Sequence, residues 1–280
     1  MKRTPIQRRH RQTDILLQIL FILVGLLIAF PVIYALSTSF MPNTDILSMN
    51  PRLIPRSVSL KNYLTVFTST NILRQCWNSI VITVTTCVLR LFVAALAAYG
   101  FAFYDFRGKK FFFYLTICTM LIPGEATLLT NYQTVSGMHL VNKYAGSIIM
   151  FIGSGTSVFI IRQYFMNLPK SLHEAAIIDG CSDFRFFCTV VMPLSKPVLS
   201  AAAINAFVQV WNTYLWPKLI ATREEMYTIQ VGIEQLNSHE ASAYGVIMAA
   251  AVIALIPTLL FFIAFQKQII AGMVTGSTKE

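Results

Sequence analysis

The chain has 280 residues, of which 55% are hydrophobic and only 12% are charged. Soluble domains carry about 25% charged residues, so this composition excludes a water-soluble surface over most of the chain. The formal charge of +10 does not indicate a nucleic-acid-binding protein, because the basic residues flank apolar runs instead of forming a patch on a soluble domain. The class that remains is a protein embedded in a lipid bilayer.

The cysteines and histidines form no recognisable disulfide or metal pattern. Five cysteines are scattered without a CxxC pair, and the four histidines have no HExxH spacing. We therefore expect no disulfide framework, no metal site and no cofactor in this chain.

Six apolar stretches reach or approach the length that crosses a bilayer. A transmembrane helix needs about 20 mostly apolar residues to cross about 30 Å of hydrocarbon. Polar residues interrupt the third and fifth stretches. The pattern predicts an all-α integral membrane protein with about six transmembrane helices. The predicted spans are residues 15–37, 78–104, 111–132, 144–161, 198–220 and 244–265.

The first span follows a basic N-terminal segment, residues 1–14. A secretory signal peptide begins in the same way, but its apolar core is about 7–15 residues long. The uncharged core here, residues 15–37, has 23 residues, which favours a retained membrane anchor.

Lysine and arginine are unevenly distributed between the predicted loops. With the N-terminus inside, the inner segments hold 14 of them and the outer segments hold seven. Basic loops stay in the cytoplasm. Both the N-terminal segment, residues 1–14, and the C-terminal tail, residues 267–280, are therefore predicted to be cytoplasmic, on either side of one transmembrane domain, residues 15–266.

Two ionisable residues lie inside predicted spans, where a charge is costly and marks a pathway or a partner. Arg90 falls near the middle of the second span, and Glu125 follows Pro123 in the outer half of the third. The proline removes a helix hydrogen bond there. We hypothesise that Arg90 and Glu125 neutralise each other near a translocation path; the alternative is a structural ion pair at a subunit interface.

The inner loop between the fourth and fifth spans, residues 167–197, predicts a short helix. Ser171 lies three residues before Glu174, which is the spacing of a capping box and predicts a helix that starts at Leu172. Gly180 suits the end of that helix, because glycine tolerates the left-handed backbone that closes helices.

A second short helix should follow in the same loop, with Ser182 or Asp183 as its cap and Pro193 as its end. The first helix is too apolar for a solvent-exposed connecting loop, so we expect another surface to cover it. That surface is either another protein or the chain's own helix bundle.

The fifth span mixes amide and aromatic side chains. Aromatic rings take the C–H faces of sugars and amides take the hydroxyl groups, so these are the predicted ligand contacts. Alternatively, the aromatic residues, with Trp216, belong to the interfacial belt of the membrane, and a partner subunit holds the ligand. Weaker candidates are Asn131, Tyr132 and Gln133. The predicted contacts in the fifth span are Asn205, Gln209, Trp211, Asn212 and Tyr214.

The inner loop also resembles the EAA motif of ABC-importer permeases. The family form ends in Ile, any residue, Leu and Pro; here Val190 and Met192 replace the Ile and the Leu, and both are apolar exchanges. The resemblance implies a coupling helix that docks in a cleft of a separate ATPase subunit, with Glu174 as a contact. The motif residues here are Glu174, Ala175, Ala176, Asp179, Gly180 and Pro193.

The resemblance extends over nearly the whole chain and is to the carbohydrate-uptake branch, in particular the smaller membrane subunit of maltose-type systems. It implies a non-catalytic subunit of the bacterial cell membrane that works with a second, non-identical permease, a cytoplasmic ATPase dimer and an extracytoplasmic solute-binding protein. The similar segments are SFMPNTDIL, NYLTVF, AAYGFAFYDFRGKKFF, WNTYLWP and FQKQIIAGMVTGSTKE.

The sequence contains no GxxxxGK[ST] phosphate loop, so ATP and Mg²⁺ are expected on the partner ATPase. The segment GSGTS, residues 153–157, lacks the lysine and lies in an apolar span, where small residues allow close helix packing.

Two other classes are open at this stage. An ion-driven secondary transporter would need no ATPase and usually shows internal repeats over more spans. A membrane-embedded enzyme would need acidic residues or histidines at helical spacing within the spans, and none recur there. The solute is expected to be an oligosaccharide, a disaccharide or a glycerol phosphate.

Overall fold

The computed structural model describes residues 5–46, 48, 53–239 and 244–277. The basic side chains of the predicted N-terminal segment and the predicted tail beyond Lys267 lie outside the described side chains. Over the described ranges every regular element is a helix. The α-helices are α1 Pro5–Ser39, α2 Asn43–Ile46, α3 Lys61–Ser69, α4 Ile72–Phe103, α5 Lys109–Cys118, α6 Leu128–Gly137, α7 Tyr144–Ile152, α8 Gly155–Met166, α9 Lys170–Ile178, α10 Asp183–Phe186, α11 Met192–Leu194, α12 Lys196–Trp211, α13 Leu215–Ile220, α14 Ile229–His239 and α15 Tyr244–Ser277.

Short turns of 3₁₀- or π-helix link several of these elements. The 3₁₀ turns are Thr119–Leu121, Gly124–Thr127 and Glu224–Met226, and a π turn covers Phe187–Val191.

Three helices are each long and apolar enough to cross a membrane: Asp14–Ser39 within α1, α4, and Tyr244–Lys267 within α15. Three further candidates are bent pairs of helices, so the described chain has three to six spans. About six spans, as predicted, results when each bent pair counts as one. The pairs are Lys109–Leu121 with Gly124–Gly137, bent by 94°, Tyr144–Ile152 with Gly155–Met166, bent by 48°, and Asp183–Leu194 with Lys196–Trp211, bent by 78°.

The bends have local causes in the sequence. In the third span the helix stops before Pro123, which has no amide hydrogen to continue it. In the fourth span Gly153 is extended, and the Ser154 hydroxyl restarts the helix by accepting from the Ser157 amide at 3.3 Å. The predicted break in the third span is confirmed, whereas the break in the fourth was not predicted.

The predicted start of the fifth span, residue 198, is close to the start of α12 at Lys196, but the prediction that the span continues to residue 220 is wrong. Helical structure begins at Asp183, bends at Ser195 and ends at Trp211, and a separate short helix, α13, follows. Residues 212–214 connect α12 to α13, so the apolar residues 215–220 belong to a different helix.

The chain divides into two compact units, described one by one. The first comprises residues 1–70 and 235–253. Its α1 is exposed along its apolar length. The buried Asn62 amide holds the end of α1 by donating to the carbonyl oxygens of Ser39 at 2.9 Å and Met41 at 2.8 Å.

The second unit comprises residues 71–234 and 254–280. Its core forms where α4 packs against α7, α8 and α12. Small residues of α4, Ala94, Ala95 and Ala98, face larger residues of α8 such as Ile161 and Phe165, and all five are buried. Small residues let membrane helices approach closely, and α4 is consequently the central helix of this unit. The predicted boundaries of a single domain, residues 15–266, stay a prediction.

Candidate functional site

The first helix of the inner loop, α9, begins at Lys170, two residues before the predicted start. Pro169 occupies the N-cap position with φ −58°. Ser171 therefore lies within the first turn, where its side chain cannot act as the N-cap. No side-chain capping bond forms, so the predicted capping box of Ser171 and Glu174 is wrong.

The end of α9 agrees with the prediction. Gly180 has a left-handed backbone, with φ +65°. Its amide donates to the Ile177 carbonyl at 3.0 Å, and the Cys181 amide donates to the Ala176 carbonyl at 2.9 Å. These two bonds form a Schellman motif, which satisfies carbonyl groups at the end of the helix.

The second helical run of the loop is longer than predicted. Ser182 is at the N-cap position of α10 but makes no side-chain capping bond. The run continues through the π turn to Leu194, so the prediction that Pro193 stops it is wrong. Pro193 is the second-to-last residue of this run, which ends at Leu194 next to the bend at Ser195.

The two faces of α9 differ in exposure. Ala176 packs against the core formed by α4 and α8, as the own-bundle alternative requires. On the other face Ile177 is 60% and Ile178 is 85% exposed, and Glu174 and Asp179 are exposed as well. No residue in the described part of the chain covers this apolar helix tip, and exposed apolar surface of this kind is typical of an interaction site.

A polar cavity of about 560 Å³ lies in the second unit, where the breaks of the third and fourth spans approach the end of α12. Its lining carries hydroxyl, amide and charged side chains and one tryptophan, an arrangement that can hydrogen-bond a hydroxylated solute. The polar and aromatic lining residues are Arg90, Thr119, Glu125, Thr127, Asn131, Phe151, Ser154, Thr156, Gln209, Thr213 and Trp216.

Arg90 is 4% exposed and binds groups other than the predicted one. Its Nε donates to the Phe151 carbonyl at 2.6 Å, and its Nη1 donates to Gln209 Oε1 at 3.1 Å. The Phe151 carbonyl is available because α7 ends next to it, at Ile152. Arg90 thereby ties α4 to the break of the fourth span and to α12.

The predicted ion pair of Arg90 and Glu125 is absent from the described structure, whose ion pairs within 4.0 Å do not include it. Both residues line the cavity, but Glu125 is exposed on the 3₁₀ turn Gly124–Thr127. The break at Pro123 places the carboxylate on that turn, while the charge of Arg90 is stabilised by hydrogen bonds to two uncharged acceptors.

Of the predicted contacts in the fifth span, only Gln209 lines the cavity. Trp211 is buried, stacks on Phe207 with ring centres 5.6 Å apart, and donates from Nε1 to the Ala254 carbonyl at 3.2 Å. It is therefore a packing residue between α12 and α15. The three predicted contacts that also lie outside the cavity lining are Asn205, Asn212 and Tyr214.

Sequence reasoning missed part of the lining. Trp216 lines the cavity and donates from Nε1 to the Gly146 carbonyl at 3.2 Å. Ser154, Gly155 and Thr156 line it because the fourth span breaks there. The GSGTS segment was the available signal, since small polar residues within an apolar span permit a helix break. Among the described residues no group of three His, Cys, Asp or Glu side chains could hold a metal ion.

Comparison with known proteins gives a consistent result. A family model described as "Binding-protein-dependent transport system inner membrane component" matches residues 90–274. The chain is 34% identical over 268 residues to the arabinooligosaccharides transport system permease protein AraQ of Bacillus subtilis (strain 168), which covers 95% of both chains. It is 29% identical to the sn-glycerol-3-phosphate transport system permease protein UgpE of Brucella abortus (strain 2308), over 91% of this chain and 94% of that protein.

A solved structure shares the fold. One chain of the crystal structure of a bacterial ABC transporter involved in the import of the acidic polysaccharide alginate superposes with a TM-score of 0.81. The match covers 93% of this chain and 97% of that chain, at 23% sequence identity.

Proposed function

Because the chain belongs to the inner membrane components of binding-protein-dependent transport systems, we propose that it forms, with a second and non-identical permease, the translocation path for a sugar or sugar-like solute. The observation that supports this most directly is the cavity lined by hydroxyl and amide groups beside Trp216. Hydrogen-bonding groups fix the hydroxyls of a sugar, and an aromatic face accepts its C–H surface.

The charges at the cavity favour a neutral sugar over a phosphate ester. Arg90 is the basic residue among the described lining residues, and it is buried and already donates to two protein acceptors. Glu125 is exposed at the same cavity, where a carboxylate repels an anion. As the solute of this chain we therefore propose a neutral oligosaccharide, the class named for AraQ, in preference to the glycerol phosphate named for UgpE.

The same proposal assigns α9 to the coupling role. Its exposed tip, Ile177 and Ile178, would insert into a cleft of the cytoplasmic ATPase dimer, and Glu174 and Asp179 would pair with polar groups at the rim. ATP and Mg²⁺ would bind to that dimer, and its closure would move α9. In this proposal the chain contributes part of the translocation path and the helix α9 that the ATPase moves, but no catalytic group.

Orientation follows from the distribution of basic residues. With α9 on the cytoplasmic side, both termini lie in the cytoplasm, and the solute-binding protein docks on the opposite face. The lipid bilayer covers the apolar outer surfaces of the spans.

Affinity purification from detergent-solubilised native membranes tests the assembly. We expect the tagged wild-type chain to bring down an ATPase and a second permease, and Glu174→Lys to lose the ATPase while it keeps the permease. Glu224→Lys is the matched control, because Glu224 is also exposed but lies on the 3₁₀ turn Glu224–Met226 and not on α9.

Transport measurements separate the proposal from the ion-driven alternative. Proteoliposomes that hold the assembled complex and its binding protein should take up a radiolabelled neutral oligosaccharide only with ATP inside. Uptake by the chain alone, driven by an ion gradient without ATP, would show that the importer assignment is wrong.

A further inference from the structure

One acidic residue of the inner loop joins the loop to the central helix of the second unit. Asp183, the first residue of α10, accepts a hydrogen bond on Oδ2 from the Tyr104 hydroxyl at 2.7 Å. Its backbone carbonyl accepts a second bond, from the Tyr99 hydroxyl at 3.2 Å. Tyr99 is in the last turns of α4, and Tyr104 follows its end. Asp183 is thus bound twice to one end of α4.

The other carboxylate oxygen of Asp183 faces α9. Its Oδ1 lies 3.9 Å from Nε2 of His173. The imidazole ring of His173 also packs against Phe103 of α4 at 5.5 Å and against Phe186 of α10 at 5.1 Å, measured between ring centres. We call the four residues Tyr99, Tyr104, His173 and Asp183 the inner junction.

The tyrosines of the inner junction are held in place for donation. Tyr99 is 6% exposed, and its ring packs against Phe103 at 4.8 Å and Phe187 at 5.1 Å. A phenol already keeps its proton at neutral pH, and the hydrogen bond to Asp183 raises the pKa of Tyr104 further, so this group is a donor.

The inner junction spans a joint in the loop. His173 is on α9 and Asp183 is on α10, and between them Gly180 makes the left-handed turn that separates the two helices. A glycine joint resists rotation weakly, so a displacement of α9 alone would be absorbed at Gly180. The contacts of Asp183 and His173 with α4 bypass that joint.

The central helix α4 continues from the inner junction to the cavity. Arg90 precedes Tyr99 by nine residues, which at 1.5 Å per residue is about 14 Å along the same helix. At the cavity, the Arg90 side chain donates hydrogen bonds to Phe151 and Gln209. A movement imposed on the end of α4 therefore reaches the two groups that organise the solute cavity.

We propose that Asp183 is a positioning residue for transport, which transmits the displacement of α9 to α4 through Tyr104, Tyr99 and His173. This rests on the proposed function, in which an ATPase moves α9. The bonds of Asp183 carry the displacement past Gly180, and without them ATP is hydrolysed while the cavity stays where it is. Loss of the inner junction lowers the amount of solute moved per ATP more than it lowers hydrolysis.

The test uses the complete transporter in proteoliposomes and measures solute uptake and ATP hydrolysis in the same vesicles. The variants are Tyr104→Phe, Asp183→Ala and the two combined. Because the bond from Tyr104 has a charged acceptor, each single variant should lower the ratio of solute to ATP by roughly threefold or more. The double variant should be no worse than Asp183→Ala, because both changes remove the same bond.

Two controls and one conservative variant accompany these. Tyr114→Phe removes a hydroxyl that makes no hydrogen bond within the described part of the chain, and Asp105→Asn removes a carboxylate that pairs only with the nearby Lys109 there. Both should keep the wild-type ratio. Asp183→Asn retains an oxygen that can accept from Tyr104 and should lose less than Asp183→Ala.

The measurements distinguish failure of the proposed function from failure of the proposed role of Asp183. Uptake by wild type that depends on ATP reports on the proposed function, whereas the ratio in the variants reports on the inner junction. Ratios equal to those of the controls would overturn the role of Asp183. An equal fall of uptake and hydrolysis, with the ATPase lost from the purified complex, would also overturn it, because Asp183 would then only maintain the loop structure.

Discussion

The inner loop and the polar cavity are built in opposite ways. The loop presents one short helix whose apolar tip, Ile177 and Ile178, is exposed. The polar groups that line the cavity come from several helices, and the positions of these groups depend on the helix breaks at Pro123 and Gly153. A contiguous segment makes the first site, and the packing of the whole unit makes the second.

We therefore expect substitutions in the two regions to have different effects. Substitutions on the exposed face of α9 change what the chain binds and leave its packing intact. Substitutions at the cavity act on contacts between helices, so they change solute handling and stability together. Variants at α9 and at the cavity test whether effects on binding and effects on packing are separate.

The largest effect is expected from Ile178→Asp. The side chain is 85% exposed in this chain, so the permease should fold normally. Placing an unpaired carboxylate in an apolar interface costs about 1–3 kcal/mol or more, which should weaken binding of the ATPase at least about fivefold and lower uptake with it. Co-purification of the ATPase and uptake in proteoliposomes measure both.

The control for Ile178→Asp is Ile54→Asp, since Ile54 is 77% exposed but lies in the segment before α3. Its ATPase should co-purify as in wild type. Loss of the ATPase in both variants would mean that exposure of an isoleucine, and not its place on α9, decides the result.

The next largest effect concerns two glycines at the break of the fourth span. A Cβ on Gly155 would lie 2.6 Å from the Thr116 carbonyl oxygen and 2.9 Å from the Thr119 hydroxyl, whereas a Cβ on Gly153 meets nothing within 4 Å. Gly155→Ala should therefore push the third and fourth spans apart, at a cost of about 1–3 kcal/mol. Gly153→Ala should be tolerated.

Fluorescence-detected size-exclusion chromatography of the two alanine variants measures the amount of folded permease. We expect a severalfold smaller peak for Gly155→Ala and a wild-type peak for Gly153→Ala. Equal peaks would contradict the close approach of the two spans.

A smaller effect is expected at Gln209. Gln209→Leu removes an acceptor from the buried Arg90 and a polar group from the cavity, so uptake should fall by roughly tenfold while the ATPase stays bound. Gln209→Glu keeps an acceptor and should retain more uptake. If Gln209→Leu also lost the ATPase, the separation between loop and cavity would fail.

The sequence predicted the end of α9 but not its start, for a physical reason. Gly180 closes α9 through its own backbone conformation, so a local pattern was sufficient. The capping box failed because Pro169 started the helix earlier, a competition that the spacing of Ser171 and Glu174 does not express.

The cavity depends on contacts between residues far apart in the chain. Arg90 bonds a carbonyl 61 residues away and an amide 119 residues away, and no local pattern indicates these partners. Charge alone suggested Glu125, which is at the same cavity but is not the partner. Trp211 looked like a ligand contact because composition does not reveal which side of α12 faces α15.

The smallest predicted effect compares two tryptophans of the fifth-span region. Trp211→Phe and Trp216→Phe each keep an aromatic ring and lose one hydrogen bond, to the Ala254 and the Gly146 carbonyl respectively. Each bond contributes about 1 kcal/mol, so each variant should lower the melting temperature of the purified chain by about 2–4 °C. Only Trp216 lines the cavity, so only Trp216→Phe should also raise the KM for solute uptake. A raised KM in Trp211→Phe would return Trp211 to the solute path and show that the solute contacts residues outside the cavity lining during transport.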